Sequence, residues 1–410
     1  MTGENFDLAA QVRSDLPPGA VPWTGFAEFN FVGGHNAPEM IPVDDLISAA
    51  TTVLNREGRT LATYRLESGP LGYLSLREFL ASKLNRLAGI ECTPDEILIT
   101  TGSSQGINLV NDAMLSDGDT VIIEEACYAG CLSRFQALGV TPIGIPGDGD
   151  GMDMDVLAAN LDELAARGIK PKYIYTIPTV QNPTSSIMSV DRRRRLLELA
   201  ETHGIPIFED ECYSDLIWDG DRPPAIHALD QTARTIYVGT FSKSIAPALR
   251  VGYVVAPWQF LSRLLPLKID AGSGALEQMV LAEYCSRHFD AHVSGLNKVL
   301  KAKCDALIDA LGEHFGTTAE FVPPKGGIYL WVKLPAAVDT TRLAQIAAKE
   351  GVAINPGAEW SIEGDDARRA LRICFANPPI ETIRGGIAKL AEICNREFGV
   401  PTHIANVERG

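Results

Sequence analysis

The chain has 410 residues, enough for a large core and for two domains. Its hydrophobic content of 46% and charged content of 21% are ordinary for a globular protein. A formal net charge of −16 argues against nucleic acid as the main partner, and no apolar run approaches the roughly 18 residues that span a bilayer.

Residues 1–27 contain Pro and Gly with little periodicity and read as an arm. Met1 to Ala20 is polar and acidic, unlike a signal peptide. The eight cysteines show no paired C-x-x-C spacing, and they read as reduced thiols of a cytoplasmic protein. From about Ile97 to Gly252 short apolar runs alternate with amphipathic stretches. The predicted strands are Glu96–Thr100, Thr120–Glu124, Pro142–Ile145, Tyr173–Ile177, Pro206–Glu209, Thr235–Val238 and Val251–Val255. Such alternation predicts an α/β fold, a mostly parallel sheet with helices on both faces. Past about residue 300 a long helix, a Gly-rich strand (Gly326–Val332), a helix and a strand (Leu371–Phe375) predict a smaller α+β domain. The expected division is an arm with part of the small domain over 1–45, a large domain over 46–300, and the small domain over 301–410.

Several segments carry groups with chemistry. Thr101-Gly102-Ser103-Ser104-Gln105-Gly106 follows a strand and opens a helix. A glycine turn there offers free N–H groups to an anion, although an ordinary capped helix looks the same. Asp148-Gly-Asp150-Gly-Met-Asp153-Met-Asp155 resembles a calcium loop but lacks the glutamate at its twelfth position, so it reads as a connection into a helix capped by Asp155 or Asp153. Asn182-Pro183-Thr184 is a turn after a strand. Arg192 to Arg195 follows Asp191, an expected N-cap, and reads as a solvated helix face. His288 and His292 are four apart, but no third ligand is evident, so no metal is expected. Asp210 and Tyr213 end one strand. Lys243 follows another, just after the hydroxyls of Thr240 and Ser242, with Arg250 seven residues on. Hydroxyls and a guanidinium bind phosphate. An amine beside a phosphate site suggests an aldehyde cofactor that carries a phosphate, pyridoxal 5'-phosphate (PLP). Asn182, Asp210, Tyr213 and Lys243 all fall at carboxyl ends of predicted parallel strands, where open α/β sheets bind ligands.

In this order the motifs resemble those of the fold type I PLP-dependent aminotransferases of class I/II. The pattern is similar to that of the α-aminoadipate and kynurenine aminotransferase group. The resemblance rests on Phe31-Val-Gly-Gly-His-Asn-Ala-Pro-Glu-Met-Ile-Pro42, Asn182-Pro183-Thr184, Asp210-x-x-Tyr213, Ser242-Lys243, Arg250-x-Gly252, Pro324-Lys-Gly-Gly-Ile-Tyr-Leu-Trp331 and Leu371-Arg372-Ile-Cys-Phe375. It covers the chain from about Phe29 to the C-terminal helix.

The resemblance implies a role for each residue. Lys243 would form the internal Schiff base and then act as general base. Asp210 would pair with the pyridine nitrogen. Tyr213 and Asn182 would hydrogen-bond the ring's 3'-oxygen, and Tyr128 would stack on the ring. Ser103, Ser104, Thr240, Ser242 and Arg250 would hold the phosphate. Arg372 would grip the substrate α-carboxylate through a bidentate pair, and the backbone of Gly34 would close over it. Some positions depart from the pattern: Ser185 stands where Gly often follows Asn-Pro-Thr, Ala126 and Cys127 replace a common Pro-Thr, and a third departure matters more. Where many relatives place a tyrosine that reaches the neighbouring subunit's phosphate, alignment on Gly72 and Leu76-Arg77 gives Glu67, with Tyr64 three residues earlier. Either the loop is remodelled or Tyr64 reaches by another path.

The implied activity is transfer of an amino group from an α-amino acid to a 2-oxo acid by ping-pong half-reactions. The implied assembly is a cytoplasmic homodimer with its active site at the subunit interface. Another PLP chemistry on the same scaffold (β-lyase, decarboxylase, racemase or oxidase) is the alternative. A regulator built on this fold would need an N-terminal DNA-binding domain, for which the 28 residues before Phe29 leave no room. For the substrate side chain, Arg13, Arg59 and Arg65 are possible partners of a second carboxylate but read better as surface residues. Trp23, Tyr73 and Trp360 hint at an aromatic pocket.

Overall fold

The computed structural model describes residues 6–13, 19–20, 22–362 and 365–401, with the side chains of Arg65, Leu66 and Asp365 outside the description. Its strands in chain order are β1 (Phe29–Asn30), β2 (Ile97–Thr100), β3 (Thr120–Glu124), β4 (Thr141–Ile145), β5 (Gly147–Asp148), β6 (Gly151–Met152) and β7 (Ile174–Thr176). They continue with β8 (Ile207–Asp210), β9 (Thr235–Thr240), β10 (Gly252–Val255), β11 (Tyr329–Lys333), β12 (Val352–Ala353), β13 (Asn355–Pro356) and β14 (Ala370–Cys374).

Seven strands form the central sheet in the order β2-β10-β9-β8-β7-β3-β4. All run the same way except β10, which is antiparallel to both of its neighbours. Strands such as Ile97–Thr100, Ile207–Asp210 and Gly252–Val255 are buried at every position, as sheets covered on both faces require. Alternate side chains enter different cores. Leu98, Val254, Val238 and Phe208 pack with Ile107 and Val110 of the helix Ser103–Met114. Ile99, Tyr253 and Tyr237 pack on the opposite face with Leu80 and Leu84 of the helix Leu74–Ala88. Each aliphatic side chain so buried contributes roughly 1.5–3 kcal/mol.

A single helix of 40 residues, Ala275–His314, runs unbroken from this sheet to a second, antiparallel sheet of order β11-β14-β13. The N-terminal segment joins that second layer. β1 pairs with β12, and the carbonyl of Phe31 accepts from the N–H of Cys374 at the end of β14. Among the described residues no helix is long and apolar enough to cross a membrane.

Two local readings of the sequence need correction. The helix Val190–His203 is capped by Ser189, whose hydroxyl accepts from Arg192 N–H, and not by Asp191. The run Arg192 to Arg195 is not wholly a solvated face, because Arg193 is completely buried. Its guanidinium donates to the carbonyls of Met188, Pro178 and Pro224 and to the hydroxyl of Thr179, and it faces Glu211 at 3.4 Å and Glu209 at 3.8 Å. Arg192 instead forms a fork with Asp148. The cap of the helix Met154–Ala166 is Asp153.

Candidate active site

The carboxyl ends of β2, β7, β8 and β9 open on the same side of the sheet, toward β14. Ser103, Ser104, Asp210, Tyr213, Thr240, Ser242, Lys243 and Arg250 lie on turns or strand ends of this sheet, Tyr128 follows β3, and Arg372 faces them from the middle of β14.

β9 ends at Thr240, and Lys243 follows three residues later. The Thr240 hydroxyl donates to Ser242 Oγ at 2.9 Å and accepts from Ser242 N–H at 3.1 Å, which fixes the turn. Lys243 Nζ donates to the carbonyl of Gly34 at 2.9 Å. A Cβ on Gly34 would overlap that amine, so the backbone approaches it as only glycine can. Burial depresses the Lys243 pKa, with Arg372 and Arg250 adding to the effect against the opposing pull of Cys212 and Cys374.

The turn after β2 supplies the facing wall. Gly102 holds φ +76° as the N-cap of the helix Ser103–Met114, and a Cβ there would collide with the guanidinium of Arg250. Arg250 itself sits in the left-handed region at φ +53°. Gly252, beside it, leaves room for the Ser103 N–H, which a Cβ would strike. One corner therefore holds a helix N-terminus, four hydroxyls (Ser103, Ser104, Thr240 and Ser242) and a guanidinium.

Asp210 is the last residue of β8 and 3% exposed. Its Oδ2 accepts from the Tyr175 hydroxyl at 2.7 Å and its Oδ1 from Cys212 N–H at 3.3 Å. Burial raises its pKa, and the bonds from Cys212 and Tyr175 oppose that rise. Tyr213 is buried, its ring edge-on to Tyr329 at 5.1 Å. Lys243 Nζ lies 5.9 Å from the centre of the Tyr213 ring. Tyr128 stands at the head of the helix Ala129–Leu138, its ring 6.3 Å from Trp360.

Arg372 lies mid-strand in β14, 5% exposed. Its Nη1 donates to Asn182 Oδ1 at 3.0 Å, and its guanidinium carbon lies 3.8 Å from the centre of the Trp360 ring and 5.2 Å from that of Tyr329. Its Nε is buried without a partner. Asn182 in turn donates to the Tyr213 hydroxyl at 3.4 Å.

Tyr64 is not brought into this cluster. It is 83% exposed on the turn Tyr64–Glu67, where Glu67 is exposed too. Of the three arginines considered for a second carboxylate, Arg59 is exposed and Arg13 lies in the exposed arm; Arg65 has its side chain outside the described residues. Of the three aromatics, Trp23 is 78% exposed, and Tyr73 is buried and donates to Glu57; only Trp360 stands against Arg372. Sequence reasoning assigned nothing to Tyr175, Tyr329 or Glu124. Glu124, at the end of β3, accepts from Ile177 N–H at 3.0 Å and from Gln181 Nε2 at 3.4 Å, and burial pushes its carboxyl up to about 7. An acidic residue closing an apolar strand was the available signal for it. The two tyrosines become visible only through strand register.

Comparison with known proteins bears on the family and the fold. The sequence profile of the family described as aminotransferase class I and II matches residues 35–390. An aromatic-amino-acid aminotransferase of Thermococcus litoralis is 33% identical over 372 residues, 90% of this chain and 88% of that protein. The crystal structure of an α-aminoadipate aminotransferase from Thermus thermophilus, complexed with N-(5'-phosphopyridoxyl)-L-leucine, is 30% identical. It superposes with a TM-score of 0.82 over 90% of this chain and 92% of that one. An HTH-type transcriptional regulator of Bacillus subtilis is 33% identical over 325 residues, 78% of this chain and 65% of that protein.

Proposed function

This chain belongs to the class I and II aminotransferase family, and we propose that Lys243, Asp210 and Arg372 are the residues with which it performs that family's reaction. The protein is a PLP-dependent aminotransferase of fold type I, moving an amino group from an α-amino acid to a 2-oxo acid in two half-reactions. The observation that carries the residue assignment is the position of Lys243. Its amine, with a pKa lowered by burial, donates to the Gly34 carbonyl at 2.9 Å and feels the charges of both Arg250 and Arg372.

The residues present fit the cofactor. The corner formed by Ser103, Ser104, Thr240, Ser242, Arg250 and the helix N-terminus offers only donors and positive potential, which suits a phosphate dianion. Burial raises the pKa of Asp210, and a cationic ring nitrogen beside it would favour its charged form. When bound, PLP supplies the aldehyde that takes the substrate amine and a ring that holds the electron pair released at Cα. The chain does the rest. Asp210 would accept the ring N–H bond and favour the protonated nitrogen. Asn182 Nδ2 and the Tyr213 hydroxyl would hold the ring's 3'-oxygen, and Tyr128 would cover one ring face. Arg372 holds the α-carboxylate through the Nε edge that has no other partner, with the Gly34 backbone closing the opposite side. Lys243 Nζ, whose pKa burial lowers, would be the base that takes the proton from substrate Cα and holds it for return.

We further propose a cytoplasmic homodimer whose active site lies at the subunit interface. The cysteines among the described residues are all free thiols, which suits a reducing compartment. Val43, Ile47, Leu54, Leu61, Tyr64 and Leu74 expose apolar surface within one stretch of chain, which favours a second copy covering it. In that arrangement the exposed Tyr64 is the residue placed to reach the partner's phosphate.

The test of the site is chemical. Borohydride treatment of the holoenzyme followed by peptide mapping should place a phosphopyridoxyl group on Lys243. A label on another lysine overturns the assignment.

A further inference from the structure

Lys303 is a charge buried in the long helix, 3% exposed. An ammonium has three N–H donors, and each has an acceptor here. They are the carbonyl of Ala376 at 2.9 Å, the carbonyl of Asn377 at 3.4 Å and Glu39 Oε1 at 3.1 Å. The first two acceptors lie just beyond β14, the strand that carries Arg372. The third lies on the N-terminal segment that carries Gly34.

A second set of bonds closes the ring. Asn377 Nδ2 donates to the carbonyl of Asn36 at 3.1 Å, across 341 residues of chain. Asn36 Nδ2 donates to the carbonyl of Lys243 at 2.9 Å and reaches that of Ile245 at 3.5 Å. Two residues before Asn36, the Gly34 carbonyl meets Lys243 Nζ. Segment 34–39 thus touches the backbone of the reactive lysine at one point and the strand of the carboxylate reader at another. A buried lysine ties the segment's far end, Glu39, to the residues after that strand.

Such a device suits a segment that has a turn of its own only at its far end, over Pro38–Met40. Gly33 and Gly34 begin it, Gly33 at φ +79°, and glycine loses more conformational freedom on ordering than any other residue. Gly34 must nevertheless present its carbonyl within hydrogen-bonding distance of one nitrogen. External hydrogen bonds are the available means of fixing it.

We propose that Asn36, Asn377 and Lys303 form a positioning latch that sets segment 34–39 against Lys243 and ties it to the strand of Arg372. These are positioning residues, since none of the three bonds a reacting atom. The inference rests on the roles given above to Lys243 and Arg372.

The experiment uses the holoenzyme with Asn36→Ala, Asn377→Leu and Lys303→Met. Hydrogen exchange is measured at amides 33–40, and kcat and KM are measured on an α-amino acid and on an amine that lacks the carboxylate. The latch predicts that exchange at 33–40 speeds up about tenfold or more, the change expected from losing one charge-assisted or buried hydrogen bond. It predicts a fall of about tenfold in kcat/KM for the α-amino acid, mostly in KM, and less than about threefold for the other amine. Should Lys303→Met fail to fold, Glu39→Gln cuts a single arm at the exposed rim and must show the same pattern more weakly. Unchanged exchange and KM in Asn36→Ala and Glu39→Gln overturn the latch. Equal loss on both amines also overturns it, because the cluster is then a staple of the fold. Failure of the underlying reading looks different: Arg372→Lys would then spare carboxylate discrimination, whatever exchange at 33–40 shows.

Discussion

Replacing Arg372 with lysine tests the substrate half of the site most directly. The guanidinium is nearly buried, stacked 3.8 Å from the Trp360 ring centre, and already gives Nη1 to Asn182. Its buried Nε has no partner within the chain, so the edge formed by Nε and the second terminal nitrogen is the one offered to a carboxylate. Lysine keeps the charge but has a single nitrogen, which cannot serve Asn182 and both carboxylate oxygens in one plane. One charge-assisted hydrogen bond, about 1.5–3 kcal/mol, is lost outright. Misorientation of the remaining pair brings the total to roughly 2–5 kcal/mol. Each 1.36 kcal/mol is tenfold, so kcat/KM for α-amino acids should fall about 30-fold or more. The assay compares steady-state rates on an α-amino acid and on an amine without the carboxylate, for which the loss should be much smaller. Equal losses on both classes would refute the reasoning and leave Arg372 as a support of the fold.

Three further outcomes follow from buried charges. Asp210→Ala should retain cofactor, since the phosphate corner is untouched, yet slow the half-reaction by on the order of 100-fold or more, read by stopped-flow absorbance; turnover near wild type would contradict its electrostatic role. Arg193→Ala removes the one ion-pair partner of Glu211 and Glu209 among the described residues, so urea unfolding should show a loss of about 3–5 kcal/mol, and a loss below about 1 kcal/mol would show that the pair is already neutral. Glu124 has its folded pKa raised by burial from 4.5 to about 7, so the folded state binds the extra proton between those values and its stability falls as pH rises through that window. Glu124→Gln should therefore gain on the order of 3 kcal/mol over wild type above pH 7 relative to pH 4.5, and parallel pH profiles for the two proteins would rule this out.

The central sheet was legible because parallel strands buried on both faces must be continuous apolar runs, as in Ile97–Thr100 and Thr235–Thr240. Direction was not legible: the run Gly252–Val255 reads like its neighbours, and only pairing shows it to be antiparallel. The anion-binding corner was legible because its groups follow strand ends within a few residues. Partners fixed by register or by long-range packing were hidden. Nothing in sequence sets Tyr175 against Asp210 or Trp360 against Arg372, which lie 35 and 12 positions apart on different elements. Arg193 was readable and was misread. It shares the helical stripe of Leu196 and Ala200, both buried, so a run of four arginines on a helix of 3.6 residues per turn must turn one of them inward.

Asn182 gives the site a property that neither half has alone. Its side-chain oxygen accepts from Arg372, and its nitrogen donates to the Tyr213 hydroxyl, the pair assigned here to the ring's 3'-oxygen. A carboxylate arriving at the Nε edge of Arg372 fixes the guanidinium in its plane, and that plane fixes the amide of Asn182. The donor facing the ring oxygen is therefore oriented by the substrate's own carboxylate. Part of the binding energy at a non-reacting group is spent on arranging the reacting one, so it appears in rate as well as affinity. Trp360 contributes by holding the guanidinium plane from the other side at 3.8 Å. On the roles proposed for Asn182 and Arg372, an amine without a carboxylate would leave that chain of contacts slack, and selectivity for α-amino acids would lie as much in Asn182 as in Arg372.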